Sequence, residues 1–314
     1  MATTSAPSPV SLATFRGSAS RRRKEGLIKG ALVLAAGFSL VISLAIVAAL
    51  TGQAVRFLTE VDLSASWASG WFPRRGEFDI ATIFIGTMEV SLIAMAIATP
   101  LGLGAAMYLS EYARPRSRRL LKPILETLAG IPSVVLGYFA LQTINPAITQ
   151  DLFGGTSPFS ILAAGVGVGI LTIPLVASVA EDAMYAVPLA LREAAYGIGA
   201  RRMSVTTRVV APAAVSGIVA SLILGLSRAI GETMVVAIAA GATSGAIRHL
   251  NPLDPGQTMT GAIASLAIGS DQVKSTTGLN PFDALYFVGL LLFVMTFALN
   301  IASERFVRRV RREY

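Results

Sequence analysis

The chain has 314 residues, 54% of them hydrophobic and only 14% charged, where soluble domains carry roughly 25% charged residues. It has no cysteine and a single histidine, His249, which excludes disulfides, thiolate catalysis and Cys- or His-rich metal centres. A net charge of +8 raises nucleic acid as a partner, but that needs a basic face on a soluble fold, and the apolar residues here lie in long runs suited to a bilayer.

In chain order, residues 1–26 open on a stretch rich in Ser, Ala, Thr and Pro without a periodic apolar face, and are expected to form a disordered tail. Six apolar runs follow, each near the ~20 residues that cross ~30 Å of hydrocarbon. They are Gly30 to Leu50, Ile83 to Leu109, Ile124 to Ile144, Phe159 to Ala180, Ala213 to Ala240 and Leu285 to Ala302. The first follows "RRRKEGLIK" and competes with a signal peptide, but it exceeds the usual apolar core of about 7–15 residues, which favours a retained span over 27–51. An all-α integral membrane protein with six transmembrane helices results. Its core covers 80–303, with a loop at 181–212 and a basic tail at 304–314.

Lys and Arg set the orientation. Alternate segments, beginning with the N-terminal tail, hold 20 of them, against 5 in the segments between. Both termini are therefore expected in the cytoplasm, and lipid headgroups account for the basic clusters. No internal repeat is evident, so a second subunit is expected to complete any central pathway.

Pro100, Pro132 and Pro174 fall within apolar runs, and Gly165 and Gly169 have the spacing that lets membrane helices approach closely. Close packing explains them, and so does rocking of kinked helices. In "GLSRAIGETMVVA", Arg228 and Glu232 stand four residues apart, which on a continuous helix is one face. Arg228 would lie about 24 Å beyond Pro212, too deep to snorkel easily. The pair either fixes helix register or lines a polar path. On a path, the arginine fork suits a tetrahedral oxyanion, and Glu232 suits the O–H of phosphate, which sulfate lacks. Glu126 is expected to pair locally with Lys122. Glu89 has no assigned partner. The long segment 242–282 is expected to contain a short helix over Met259 to Ile268.

No G-x-x-x-x-G-K-[ST] loop is present, and "GLGAAMYL" from Gly102 is only a weak glycine match, so energy must come from an ion gradient or a partner protein. The stretch "EAAYGIGARRMSVTTRVVAP", 193–212, reads as a short helix begun after Pro188 and ended by Gly199. An amphipathic surface helix and a docking helix both fit that pattern.

Glu193, Ala194, Ala195, Gly199 and Pro212 resemble, in register, the EAA motif of permease subunits of bacterial ABC importers. Val209 and Ala211 depart from the Ile and Leu of that pattern. "LAGIPSVVLGYFAL" and "SRAIGETMVV" together are similar to the phosphate-specific, Pst-type importers, in the PstC-like form. The resemblance runs from about Ile83 to the C-terminus. It implies the type I ABC importer permease fold, a bacterial inner-membrane location and a coupling helix docked on a separate ATPase subunit dimer. That dimer would hold ATP and Mg, with no cofactor or metal on this chain. A second, PstA-like permease and an external phosphate-binding protein are the implied partners, with Arg228 and Glu232 on the phosphate route. Permeases for sulfate or molybdate, and an ion-coupled carrier, are the competing expectations.

Overall fold

The computed structural model describes residues 19–61, 70–241, 246–268 and 281–310. Two units divide the chain, residues 1–50 and 51–314. The first is the leading part of helix α1 (Ala19–Glu60), apolar on all sides from Gly30 onward and exposed along Leu27, Val33, Phe38 and Val41. A helix without a polar face is stable where lipid is the solvent. Residues 19–26 are helical, not the disordered tail expected there, because a lysine- and arginine-bearing sequence continues a helix readily. Residues 1–18 of that expectation lie outside the described residues.

The second unit begins with the end of α1 and a minimal hairpin, β1 (Trp71–Phe72) and β2 (Glu77–Phe78), turned at Gly76. Trp71 is fully buried and exchanges both backbone hydrogen bonds with Ala246, at 2.9 and 3.0 Å. Phe57 meets Phe78 edge-on at 5.1 Å between ring centres. Helix α2 (Ile80–Tyr112) follows, capped by Asp79, which accepts from the Ala81 amide at 3.1 Å. It contains Pro100 and closes in a π-helical turn from Tyr108.

Helix α3 (Pro115–Leu128) and α4 (Ser133–Gln150) are bent by 85°. The run expected to cross from Ile124 to Ile144 is therefore two elements, and the crossing part begins at Ser133. Pro132 stands at the head of α4 with extended backbone, so it starts this helix and does not interrupt it. Helix α5 (Ile161–Tyr185) is capped by Ser160, which accepts from the Ala163 amide at 3.0 Å and donates to Asn145 at 2.7 Å. It packs along α2. A Cβ built on Gly165 would lie 2.7 Å from Ile93, so the glycine is what permits this approach.

Helix α6 (Leu189–Gly197) leads to α7 (Arg202–Ala213), which bends by 75° into α8 (Val215–Ile230). After Gly231–Thr233 a short α9 (Met234–Val236) continues as a π-helical turn through Gly241. The fifth run is thus broken, not one helix from Ala213 to Ala240. Helix α10 (Met259–Ile268) lies in the long connecting segment, and α11 (Pro281–Val310) ends the described chain, extending helix into the expected tail. Among the described residues, four helices are long and apolar enough to cross a membrane, and six when each bent pair counts as one span.

Candidate functional site

Two regions carry the predicted residues, at opposite ends of α8. The first is α6 and its flanks. Gly199 adopts φ +82°, and the Gly199 and Ala200 amides donate to the carbonyls of Tyr196 and Ala195 at 2.9 and 3.1 Å. That double closure is the Schellman arrangement, which needs a left-handed residue where the chain leaves the helix. A glycine at this offset therefore sets the length of α6. Ala195 is buried against Val205 and Val210 in one apolar cluster, whereas Glu193 and Ala194 are exposed. Glu193 makes no hydrogen bond or ion pair among the described residues. Leu189, Tyr196, Ile198 and Met203 are exposed beside it, Ile198 at 87%. Pro212 is exposed just before the 75° bend into α8.

Arg192 fastens this helix to the spans. Its guanidinium donates to Glu111 Oε1 from Nη2 at 3.0 Å and to the Met184 carbonyl at 2.8 Å, and it also reaches the Val187 carbonyl. Glu111 lies in the last turn of α2, and Met184 in the last turn of α5. Arg202 donates to the Glu111 carbonyl and stacks over Tyr112, its guanidinium carbon 4.9 Å from the ring centre. One arginine on α6 and one on α7 thus close on a single helix end.

A neighbouring cluster ties α3 to α5. Glu181, with no exposed surface, accepts from Arg118 and from Lys122, the latter at 2.6 Å, and Lys122 also meets Asp182. Burial opposes charge on Lys122, but its bonds to Asp182 and Glu181 outweigh that and hold the ammonium pKa above its ordinary value. The expected Lys122 to Glu126 pair is not formed, because these acids on α5 take the ammonium from another direction. Sequence reasoning missed Glu111, Glu181 and Asp182. The available signal was acids placed at the ends of two apolar runs, opposite the arginine-rich "RPRSRR".

The second region is the break after α8. Arg228 and Glu232 do not share a helix face, since α8 stops at Ile230 and Gly231 caps it. Among the described residues no ion pair joins them. Glu232 Oε1 accepts from the Val235 amide at 3.4 Å, at the start of α9, and its carbonyl accepts from Thr260 Oγ1 at 2.8 Å. Arg228 is exposed in the last turn of α8, about 20 Å along the axis from Val215. A cation there complements the helix dipole, and it makes no hydrogen bond or ion pair among the described residues. Glu89, on α2, has a buried Oε2 without a hydrogen-bond partner among the described residues.

The arrangement is a bundle of bent membrane helices with a short helix fastened across the ends of two spans. Residues 98–312 match the model of the binding-protein-dependent transport system inner membrane component, and the chain belongs to that family. Within it, the chain is similar to the phosphate transport system permease protein PstC of Xylella fastidiosa (strain 9a5c), 32% identical over 80% of each chain. The Mycobacterium tuberculosis PstC 1 protein is 33% identical over 73% of this chain and 72% of its own, and the probable ABC transporter permease YqgH of Bacillus subtilis is 31% identical over 77% and 74%. Among solved structures, a chain of a bacterial alginate ABC transporter superposes with a TM-score of 0.64 at 14% identity, covering 93% of this chain and 98% of that one. A MetNI methionine transporter chain gives 0.52 at 19%, covering 72% and 92%. These likenesses show the type I ABC importer permease fold.

Proposed function

We propose that this chain is the PstC-type permease subunit of an ATP-driven importer that moves inorganic phosphate into the cytoplasm. In this reading α6 is the coupling helix. Glu193, Ala194 and the exposed Leu189, Tyr196 and Ile198 meet a separate ATPase subunit, which binds ATP and Mg. Ala195, Gly199 and Pro212 hold the shape of the dock. A PstA-like second permease completes the pathway, and a phosphate-binding protein delivers cargo on the outer face. The arginine and lysine distribution supports cytoplasmic termini.

The observation that carries the reading is Arg228, a cation about 20 Å along a membrane helix with no hydrogen-bond or ion-pair partner among the described residues. Such a charge costs at least about 2.5–3.5 kcal/mol near the bilayer centre, a cost a passing oxyanion offsets. Glu232 keeps Oε2 available to accept the O–H of protonated phosphate. The similarity to PstC proteins supports phosphate over sulfate or molybdate.

Reconstitution with the partner chains tests this. The binding protein loaded with phosphate is expected to stimulate ATP hydrolysis and uptake, and Arg228→Ala to abolish uptake. Equal uptake of sulfate, or full uptake by Arg228→Ala, would refute it.

A further inference from the structure

Helix α3 has two contrasting sides. Arg118 and Lys122 face α5 and are engaged with Glu181 and Asp182. On another side Leu120, Ile124 and Leu128 stand one turn apart and are 64%, 46% and 43% exposed. Arg116 and Arg119 are also exposed, with Arg114 immediately before the helix, and Glu126 is the one exposed acid on it. Among the described residues, the only hydrogen bond Arg119 makes is to the Pro115 carbonyl at 3.3 Å. Because α3 is bent 85° from α4, it lies close to the membrane plane when α4 crosses the bilayer.

We propose that α3 is an interfacial helix that seats anionic phospholipid. Leu120, Ile124 and Leu128 enter the boundary between headgroups and acyl chains, and Arg114, Arg116 and Arg119 hold the phosphodiesters. Charge complementarity selects this occupant. The exposed N-terminal half is arginine-rich and free of acids, while the apolar edge is a narrow stripe in the geometry of a helix lying in an interface. The bound lipid has a mechanical consequence. The opposite side of α3 is fastened to the end of α5, where Arg192 also fastens α6, so the lipid bears on the support of α6. The inference rests on the membrane-spanning reading, and not on phosphate as cargo.

The test exploits the absence of cysteine. Ile124→Cys is labelled with a fluorophore in the assembled transporter, in nanodiscs, without substrate. Quenching by brominated phosphatidylglycerol is compared with quenching by brominated phosphatidylcholine. The anionic lipid is expected to be enriched at the label, each exposed arginine contributing on the order of fivefold at low salt. Arg116→Gln with Arg119→Gln is expected to reduce the enrichment by on the order of twentyfold, and salt near 1 M to reduce it in the unaltered chain. Equal quenching by the two lipids, unchanged in the double variant, would overturn the proposal. So would a label that neither lipid quenches, which marks a water-exposed or protein-covered face. Since no substrate is present, a wrong cargo assignment would leave every one of these results unaffected.

Discussion

Replacing Arg192 with methionine removes a side chain that hydrogen-bonds α6 to both α2 and α5. Among the described residues, the Glu111 carboxylate would be left with a single donor, Ser110 Oγ at 2.9 Å, on a side chain only 5% exposed. The carbonyls of Met184 and Val187 would each lose a charged donor. Breaking a buried ion pair from one side costs about 3–5 kcal/mol, and the 12% exposure of Arg192 lets water recover part of that, so a loss of about 3 kcal/mol is expected. Glu111→Gln in the Arg192→Met background removes the stranded charge and should restore about 2 kcal/mol, a coupling that a double-mutant cycle reads directly. Arg192→Lys keeps the charge but lacks the fork that reaches carboxylate and carbonyls together, and should fall between. The assay combines the thermal midpoint of the purified transporter with phosphate moved per ATP hydrolysed. If α6 is the coupling helix proposed above, Arg192→Met is expected to hydrolyse ATP while moving little phosphate, because the loosened helix would no longer pull on the spans. A stability loss under about 0.5 kcal/mol with unchanged transport per ATP would refute this.

Gly199→Ala meets no atom within 4 Å, so its cost is backbone strain at φ +82° alone, about 1–2 kcal/mol. Gly199→Asn should cost less, and equal thermal midpoints for the two variants would contradict the Schellman assignment. The raised pKa of Lys122 makes its ion pairs a stabilising contribution that is complete below the unfolded value of 10.5 and lost as pH rises through the higher folded value. The thermal midpoint should therefore show a Lys122-dependent fall only above about pH 10.5, absent in Lys122→Met. Arg228→Lys keeps the charge without the planar fork and should retain a fraction of phosphate uptake where Arg228→Ala retains none. Uptake rates of the two variants at matched expression check this.

Long apolar runs made the spans of α2, α5 and α11 legible, because hydropathy reports burial in lipid directly. The same signal misled at Ile124 to Ile144. An interfacial helix contributes Ile124 and Leu128 to the run, and hydropathy does not separate the bilayer surface from its interior. The signal that separates them is Pro132, which biases Ile131 away from helix. At Gly231–Thr233 the break is three residues long and leaves hydropathy untouched, so Arg228 and Glu232 read as neighbours on a helix that the fold divides. Glu232 to Val235 is the visible trace, an acid three residues before the amide it accepts from at the start of a helix.

The extent of α6 was legible because Gly199 must be left-handed, a local requirement that one residue states. Pairings such as Arg118 with Glu181, 63 residues apart, are not written in any single stretch. The orientation rule counts every arginine in a segment alike. The fold does not: Arg118, Arg192 and Arg202 hold helix ends together, whereas Arg116 and Arg119 are exposed and bridge no two helices among the described residues. A single composition bias therefore covers two physical roles. Charge-neutral replacement separates them: loss of Arg192 lowers stability through the stranded Glu111, whereas loss of Arg116 leaves no acid behind and changes only what the surface attracts.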